Sequence, residues 1–245
     1  MGSAPVVRIR RSGERGFEDF GWTDNWMTFS FGGYQSREWN NFGPLRVMVE
    51  NHIQPKAGFP AHSHRDAEIV TYVAAGCLTH KDSFGHSAGV TKGEMQLISA
   101  GSHGMVHSEM NVHDELEHNL QIWLIPSKQP TEFAYNQLKY TPEERQGRFR
   151  LYVSPDGRDG SMRINTGASI WAGLFGDGDT ARHTLVNGDG AWVQVVHGSA
   201  SVAGVELGQG DGVGITGAKE LELTFGAGSE VLLFDLDMHA KLIWR

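Results

Sequence analysis

A chain of 245 residues is long enough for one large or two ordinary domains with real cores. Its formal charge of -8, with no long basic run, excludes attraction of the whole chain to nucleic acid or an anionic membrane surface. A single cysteine, Cys77, excludes an intramolecular disulfide, and the lack of any run of about 18 apolar residues excludes a transmembrane helix.

The N-terminal end has no apolar signal core, and Val6 stands where a myristoylation signal wants Ser or Thr. A soluble, cytoplasmic protein is the expectation, and the absence of disulfides agrees with it. Cys77 follows the turn glycine Gly76 and reads as a small packed residue.

In chain order, residues 1–16 are polar and mixed in charge, which predicts an edge strand or a loose arm. Residues 21–34, GWTDNWMTFSFGGY, are dense in aromatic side chains. They fit either a cover over a barrel mouth or ordinary core packing of Trp22, Trp26, Phe29 and Phe31. LRVMVE at 45–50 alternates as a strand does and leads through Pro55 and Gly58 to HSH at 62–64. Strands are predicted over 69–74, 95–99 and 105–110. The nearly continuous apolar run LQIWLI at 120–125 reads as a well-buried strand. Segment 130–147 breaks this grammar. Thr141 is an N-cap candidate, Pro142 suits the first helical position and two glutamates follow, so a short helix or linker is expected. Strand patterns resume over 169–174, 191–196, 200–205, 221–225 and 231–236.

Strands at this spacing, without helical periodicity between them, predict an all-β chain built as antiparallel sandwiches or barrels. The halves also echo each other. Val73 to Gly76 before Cys77 resembles Val196 to Gly198 before Ser199, and Lys92-Gly93-Glu94 resembles Gln209-Gly210-Asp211. A duplicated barrel follows, organised as residues 1–130, a linker with a short helix at 131–147, and residues 148–245.

The chemistry concentrates in the first half. His62 and His64 are two apart, as are His107 and Glu109, and in a strand such pairs point to one face. Three imidazoles and one carboxylate suit a divalent transition ion such as iron, nickel, copper or zinc, and a five- or six-coordinate ion would keep positions open. Ser63 and Ser108 alternate to the opposite face and are poor nucleophiles. His103 shares parity with His107 and reads as a rim residue or a hydrogen-bond partner behind the ligands. Glu68 is expected to orient a ligand or pair with a surface base. His80, His86, His113 and His118 read as ordinary surface or packed histidines. The second half has His183, His197 and His239 but no His-x-His or His-x-Glu pair, so only the first half is equipped for metal.

The stretch HSHRDAEIVTYV, GCLTHKDSFGH and GEMQLISAGSHGMVHSEMN resembles the metal-binding domain of the pirin family in the cupin superfamily. GFEDFGWTDNWMTFSF, LRVMVEN, LQIWLIP, SPDGRDGSMRI and EVLLFDL extend the likeness over nearly the whole chain. The resemblance implies two tandem cupin-type β-barrels, with one metal ion in the first held by His62, His64, His107 and Glu109. Fe(II) is the occupant it implies, with Ni, Co, Mn, Cu or Zn compatible. It further implies quercetin 2,3-dioxygenase activity, opening a flavonol with dioxygen and releasing carbon monoxide, with Glu109 as ligand and base for the substrate hydroxyl. In the eukaryotic branch it implies instead a non-catalytic, iron-binding partner of transcription factors. Three positions depart from the family pattern: His103 replaces a small or non-ligating residue, and Asp66-Ala67 replaces a common Gly-Phe.

Overall fold

In the central strands of this chain both faces are apolar, because each is covered on two sides. The computed structural model describes residues 4–128 and 131–243, which form strands almost throughout, with one four-residue α-helix, Pro142–Arg145, among the described residues. In the first barrel a four-stranded sheet runs Gly58–His64, Met105–Met110, Cys77–Asp82, Ser87–Thr91. A seven-stranded sheet faces it, ordered Ala134–Lys139, Glu94–Ser99, Glu68–Ala75, Glu117–Leu124, Leu45–Ile53, Thr23–Met27, Gly16–Asp19.

The second barrel repeats the plan. Its four-stranded sheet runs Thr180–Thr184, Glu220–Phe225, Ser199–Val202, Val205–Gly208. The larger sheet runs Val6–Arg10, Gly212–Thr216, Gly190–His197, Ser229–Leu236, Ala168–Phe175, Arg148–Ser154, Met162–Arg163. The echoed glycines occupy matching turns. Gly76 and Gly198 both have φ of +74°, and Gly93 and Gly210 have +77° and +79°, a region that disfavours any side chain with a Cβ.

The two large sheets share one core. Leu120, Ile122 and Leu124 pack in the same cluster as Ile170, Trp192 and Phe234. Trp192, fully buried, lies 5.2 Å from the Phe29 ring and 5.6 Å from Phe42. The alternate side chains of strand Glu117–Leu124, among them Gln121 and Trp123, line the cavity of the first barrel. A strand with a barrel interior on one side and a second barrel on the other reads as a continuous apolar run.

The ends of the barrels are exchanged. Val6–Arg10 pairs antiparallel with Gly212–Thr216 and forms the edge of the second barrel's sheet. Ala134–Lys139 pairs with Glu94–Ser99 and forms the matching edge of the first. The segment read as helix and linker therefore contains an edge strand, and the N-terminal residues belong by pairing to the second barrel. Residues 1–3, and Gln129 and Pro130 before the linker, lie outside the described residues. The helix itself starts as its sequence indicates. Thr141 Oγ1 accepts from the Glu144 N–H, the Glu144 side chain accepts from the Thr141 N–H, and Pro142 opens the first turn. The helix delivers Arg145 into a buried cluster in which it donates to Tyr72 Oη of the first barrel (2.6 Å) and Glu230 Oε1 of the second (3.1 Å). Tyr72 also donates to Glu230.

One expected strand, 200–205, is two. Ala203 (φ +51°) and Gly204 (φ +76°) form a tight turn between Ser199–Val202 and Val205–Gly208, because two successive positive φ values match the twist of a hairpin. Among the described residues no helix is long and apolar enough to cross a membrane.

Candidate metal centre

Two neighbouring strands bring the candidate ligands together. His62 lies opposite His107 across the ladder and His64 opposite Met105, and the register then shifts between His107 and Glu109, so that Glu109 faces Phe59. Such a bulge re-aims a side chain without ending the pairing. The strands approach closely at Gly58, where a Cβ would stand 2.3 Å from the Glu109 carbonyl oxygen and 2.6 Å from Met110 Cα. His62, His64 and His107 each offer a ring nitrogen within 4.8 Å of the others. Glu109 is not part of that tight group; its Oε2 stands 3.9 Å from His107 Nε2.

The donor set fits a cation. The His62 Nδ1 lies 2.8 Å from the Pro60 carbonyl oxygen, which only an N–H can satisfy. That assigns the His62 lone pair to Nε2, which sits 2.9 Å from His107 Nε2. Two ring nitrogens converge where one proton or one ion can sit between them. Burial, followed by the mutual repulsion of the rings, lowers the pKa of His64 to about 4. Burial, then His62 and His80, lowers that of His107 to about 3. Both rings are therefore neutral at pH 7 with lone pairs available, as metal ligation requires. Glu109, 2% exposed, accepts from Gln121 Nε2 at 2.9 Å on both oxygens and from Thr71 Oγ1 at 3.4 Å. Gln121 and Thr71 thus hold the carboxylate in one orientation.

The cluster opens onto a cavity of about 370 Å³. Phe20, Met27, Phe31, Val49, Phe59 and Trp123 make its apolar wall, while Asn25, Asn51 and Gln121 supply amides. The aromatic opening segment serves both expected purposes: Phe31 lines the cavity, whereas Phe29 belongs to the shared core. Trp22 packs edge-on against Phe59 at 5.0 Å, and Trp26 against Phe17 at 4.4 Å. The second barrel is packed differently at the corresponding positions. Its inward positions Val193, Val195, Leu221, Leu223, Phe225 and Leu233 fill the interior with hydrocarbon.

Other candidates fall elsewhere. His103 is exposed on a rim groove that it shares with His64, Arg65 and Ser83, and it is not part of the tight group of three histidines. Glu68 neither orients a ligand nor meets a surface base. It is fully buried and accepts from Ser99 Oγ (2.8 Å) and, across the barrel interface, from Asn165 Nδ2 (3.0 Å). Cys77 is half-buried and burial raises its thiol pKa, which suits the packed reading. His118, read as ordinary, joins Glu50 and His52 in a second group with ligand-type atoms within 4.8 Å. There Glu50 is already neutralised by Arg15 (2.7 Å) and His118 (2.8 Å). Burial alone would raise the Glu50 pKa, but those partners outweigh it and hold it at about 2.

Sequence reasoning missed Gln121, Thr71, Glu117 and His80. Gln121 had a signal: it is the one polar residue within LQIWLI, and a lone polar side chain in a doubly buried strand needs a partner. Glu117 is fully buried, accepts from Asn119 Nδ2 at 2.8 Å, and has its other oxygen unpartnered. Burial pushes its pKa up to about 8.

Tandem barrels of this topology, with a histidine cup opening on a cavity in the first, define a bicupin with a candidate metal centre there. Residues 7–124 match the model of the Pirin family, and residues 151–236 that of the Quercetinase C-terminal cupin domain. The chain belongs to the pirin family. It is 35% identical to a quercetin 2,3-dioxygenase of Escherichia coli, over 94% of this chain and 99% of the relative. It is also 32% identical to a pirin-like protein of Caulobacter vibrioides, over 90% and 95% of the two chains. The solved structure of bacterial pirin YhhW from Escherichia coli, in complex with nickel(II), superposes with a TM-score of 0.89 at 35% identity, covering 95% of this chain and 99% of that one.

Proposed function

We propose that the first barrel is a metal-dependent dioxygenase site that opens a flavonol such as quercetin with dioxygen and releases carbon monoxide. The observation that carries this reading is the convergence of three imidazoles and an oriented carboxylate on an aromatic-walled cavity of about 370 Å³. In it, His62, His64, His107 and Glu109 hold one divalent ion, with Fe(II) as the proposed occupant and nickel the ion in a relative's structure. The bound ion would supply Lewis acidity, lowering the pKa of a substrate hydroxyl placed on it.

The chain's own residues do the rest. Phe31, Phe59 and Trp123 take the flat faces of the substrate and exclude water, which strengthens the electrostatic contacts inside. Asn25 and Asn51 offer hydrogen bonds to its polar edge. Glu109 takes the 3-hydroxyl proton, a role that suits a carboxylate kept in one orientation by Gln121 and Thr71. The catalytic assignment favours a cytoplasmic enzyme whose partners are a small flavonol-like molecule and dioxygen.

Anaerobic titration of the metal-loaded protein with quercetin, followed by admission of oxygen, tests the proposal. Carbon monoxide release that chelation abolishes is expected. Glu109→Gln should cut turnover by about 10²-fold or more, on the order of a lost general base, while metal content falls less. Equal loss of both would leave Glu109 as a ligand only. No turnover of any flavonol, with metal binding intact, would favour the non-catalytic sensor or regulator reading.

A further inference from the structure

His80 lies on strand Cys77–Asp82, which pairs with the strand that carries His107 and Glu109; His80 stands opposite Glu109, and Asp82 opposite His107. The His80 side chain is fully buried, with its ring centroid 5.3 Å from that of His107. Both rings have an Nδ1 that is buried and has no hydrogen-bond partner. The other nitrogen of His80, Nε2, lies 3.0 Å from Asp82 Oδ2. Asp82 is itself pinned by the backbone N–H groups of Phe84 (2.9 Å) and His86 (3.0 Å) and by His86 Nδ1 (3.0 Å). The Tyr135 ring packs against His80 at 5.1 Å and closes that side.

Two buried nitrogens without partners, on rings whose centroids lie 5.3 Å apart, are costly unless they serve each other. Their polarities match. A His107 ring that gives Nε2 to an ion carries its remaining proton on Nδ1, so Nδ1 requires an acceptor. A His80 ring that donates Nε2–H to Asp82 presents a lone pair on Nδ1. Rings 5.3 Å apart leave room for direct approach or for one bridging water.

We propose that His80, aligned by Asp82, accepts the Nδ1 proton of His107 and so positions His107 as a metal ligand. The inference rests on the reading of His62, His64, His107 and Glu109 as a metal centre. His80 is a positioning residue. It fixes the tautomer and ring plane of His107 and, through the Asp82 charge, makes the His107 Nε2 lone pair a stronger donor.

The test uses Ni(II) binding by the full chain at pH 7, measured by competition with a chromophoric chelator. His80→Phe fills the space but removes the acceptor, and it should weaken Ni(II) binding by about 10- to 100-fold. His80→Gln, whose Oε1 can accept, should recover part of the loss, and Asp82→Asn should lose affinity as well. A folded His80→Phe with an affinity within twofold of the parent overturns the proposal, because a merely structural role would lower the unfolding temperature of the metal-free protein and leave affinity alone. Should that variant not fold, imidazole ¹H–¹⁵N spectra of the parent with Zn(II) decide. They should show a protected Nδ1–H on His107 and an unprotonated Nδ1 on His80, and a proton on His80 Nδ1 refutes the relay. A parent that binds no Ni(II) removes the metal-centre reading and the His80 inference together. A parent that binds while His80→Phe binds equally removes only the second.

Discussion

Glu117→Gln probes the interior of the first barrel, because a carboxyl that is fully buried there titrates far from its ordinary range. Its pKa rises from 4.5 to about 8, chiefly through burial, with a smaller push from Glu109 and an opposing hydrogen bond from Asn119. Between these two values the unfolded chain ionises while the folded chain keeps its proton. The unfolded state then binds fewer protons, and stability falls as pH rises. The contribution of Glu117 is complete below about pH 4.5 and disappears as pH passes through about 8. By pH 7 the unfolded group lies roughly two and a half pH units beyond its own pKa, a loss of about 3 kcal/mol at about 1.36 kcal/mol per unit. The amide of the variant has no such proton, so the stability gap between variant and parent should move by about 3 kcal/mol in the variant's favour between pH 4.5 and pH 7. In a chain of this size that corresponds to roughly 6–12 °C in Tm. Thermal unfolding in chelator at pH 4.5, 5.5, 6.5 and 7.5 measures it. Parallel pH curves for parent and variant would refute the assignment of a neutral Glu117.

Gly58→Ala should weaken Ni(II) binding at least tenfold, since its Cβ would fall 2.3 Å from the Glu109 carbonyl oxygen and force the two ligand strands apart; isothermal titration of the folded variant checks it. Arg145→Met strands the Glu230 carboxylate between the barrels beside Tyr72, and losing one partner of a buried pair costs about 3–5 kcal/mol, so Tm should drop by about 10 °C or more. The double variant Arg145→Met, Glu230→Gln should recover a large part of that loss by calorimetry, because the uncompensated charge is gone.

The candidate site was legible in the sequence because its ligands come in pairs two residues apart, and strand geometry alone puts each pair on one face. The helix start at Thr141 was legible for the same local reason: the capping box closes within four residues. Strand positions such as Met105–Met110 followed from alternation. The run LQIWLI announced burial but not what lay on either side of it. Gln121 could be recognised as a support for Glu109 only once Glu117–Leu124 was seen with the cavity on one face and the second barrel on the other.

What the sequence by itself determined is local: the all-β pattern, the turn glycines of the duplicated barrels, and the same-face pairing of His62 with His64 and of His107 with Glu109. Tertiary structure alone decided the rest. It exchanged the edge strands Val6–Arg10 and Ala134–Lys139 between sheets, sent Arg145 between the barrels, and placed His80 beside His107. Those relations join residues far apart along the chain, and no local periodicity encodes them. They arise because two closed sheets must bury one face against each other while every polar group trapped inside finds a partner.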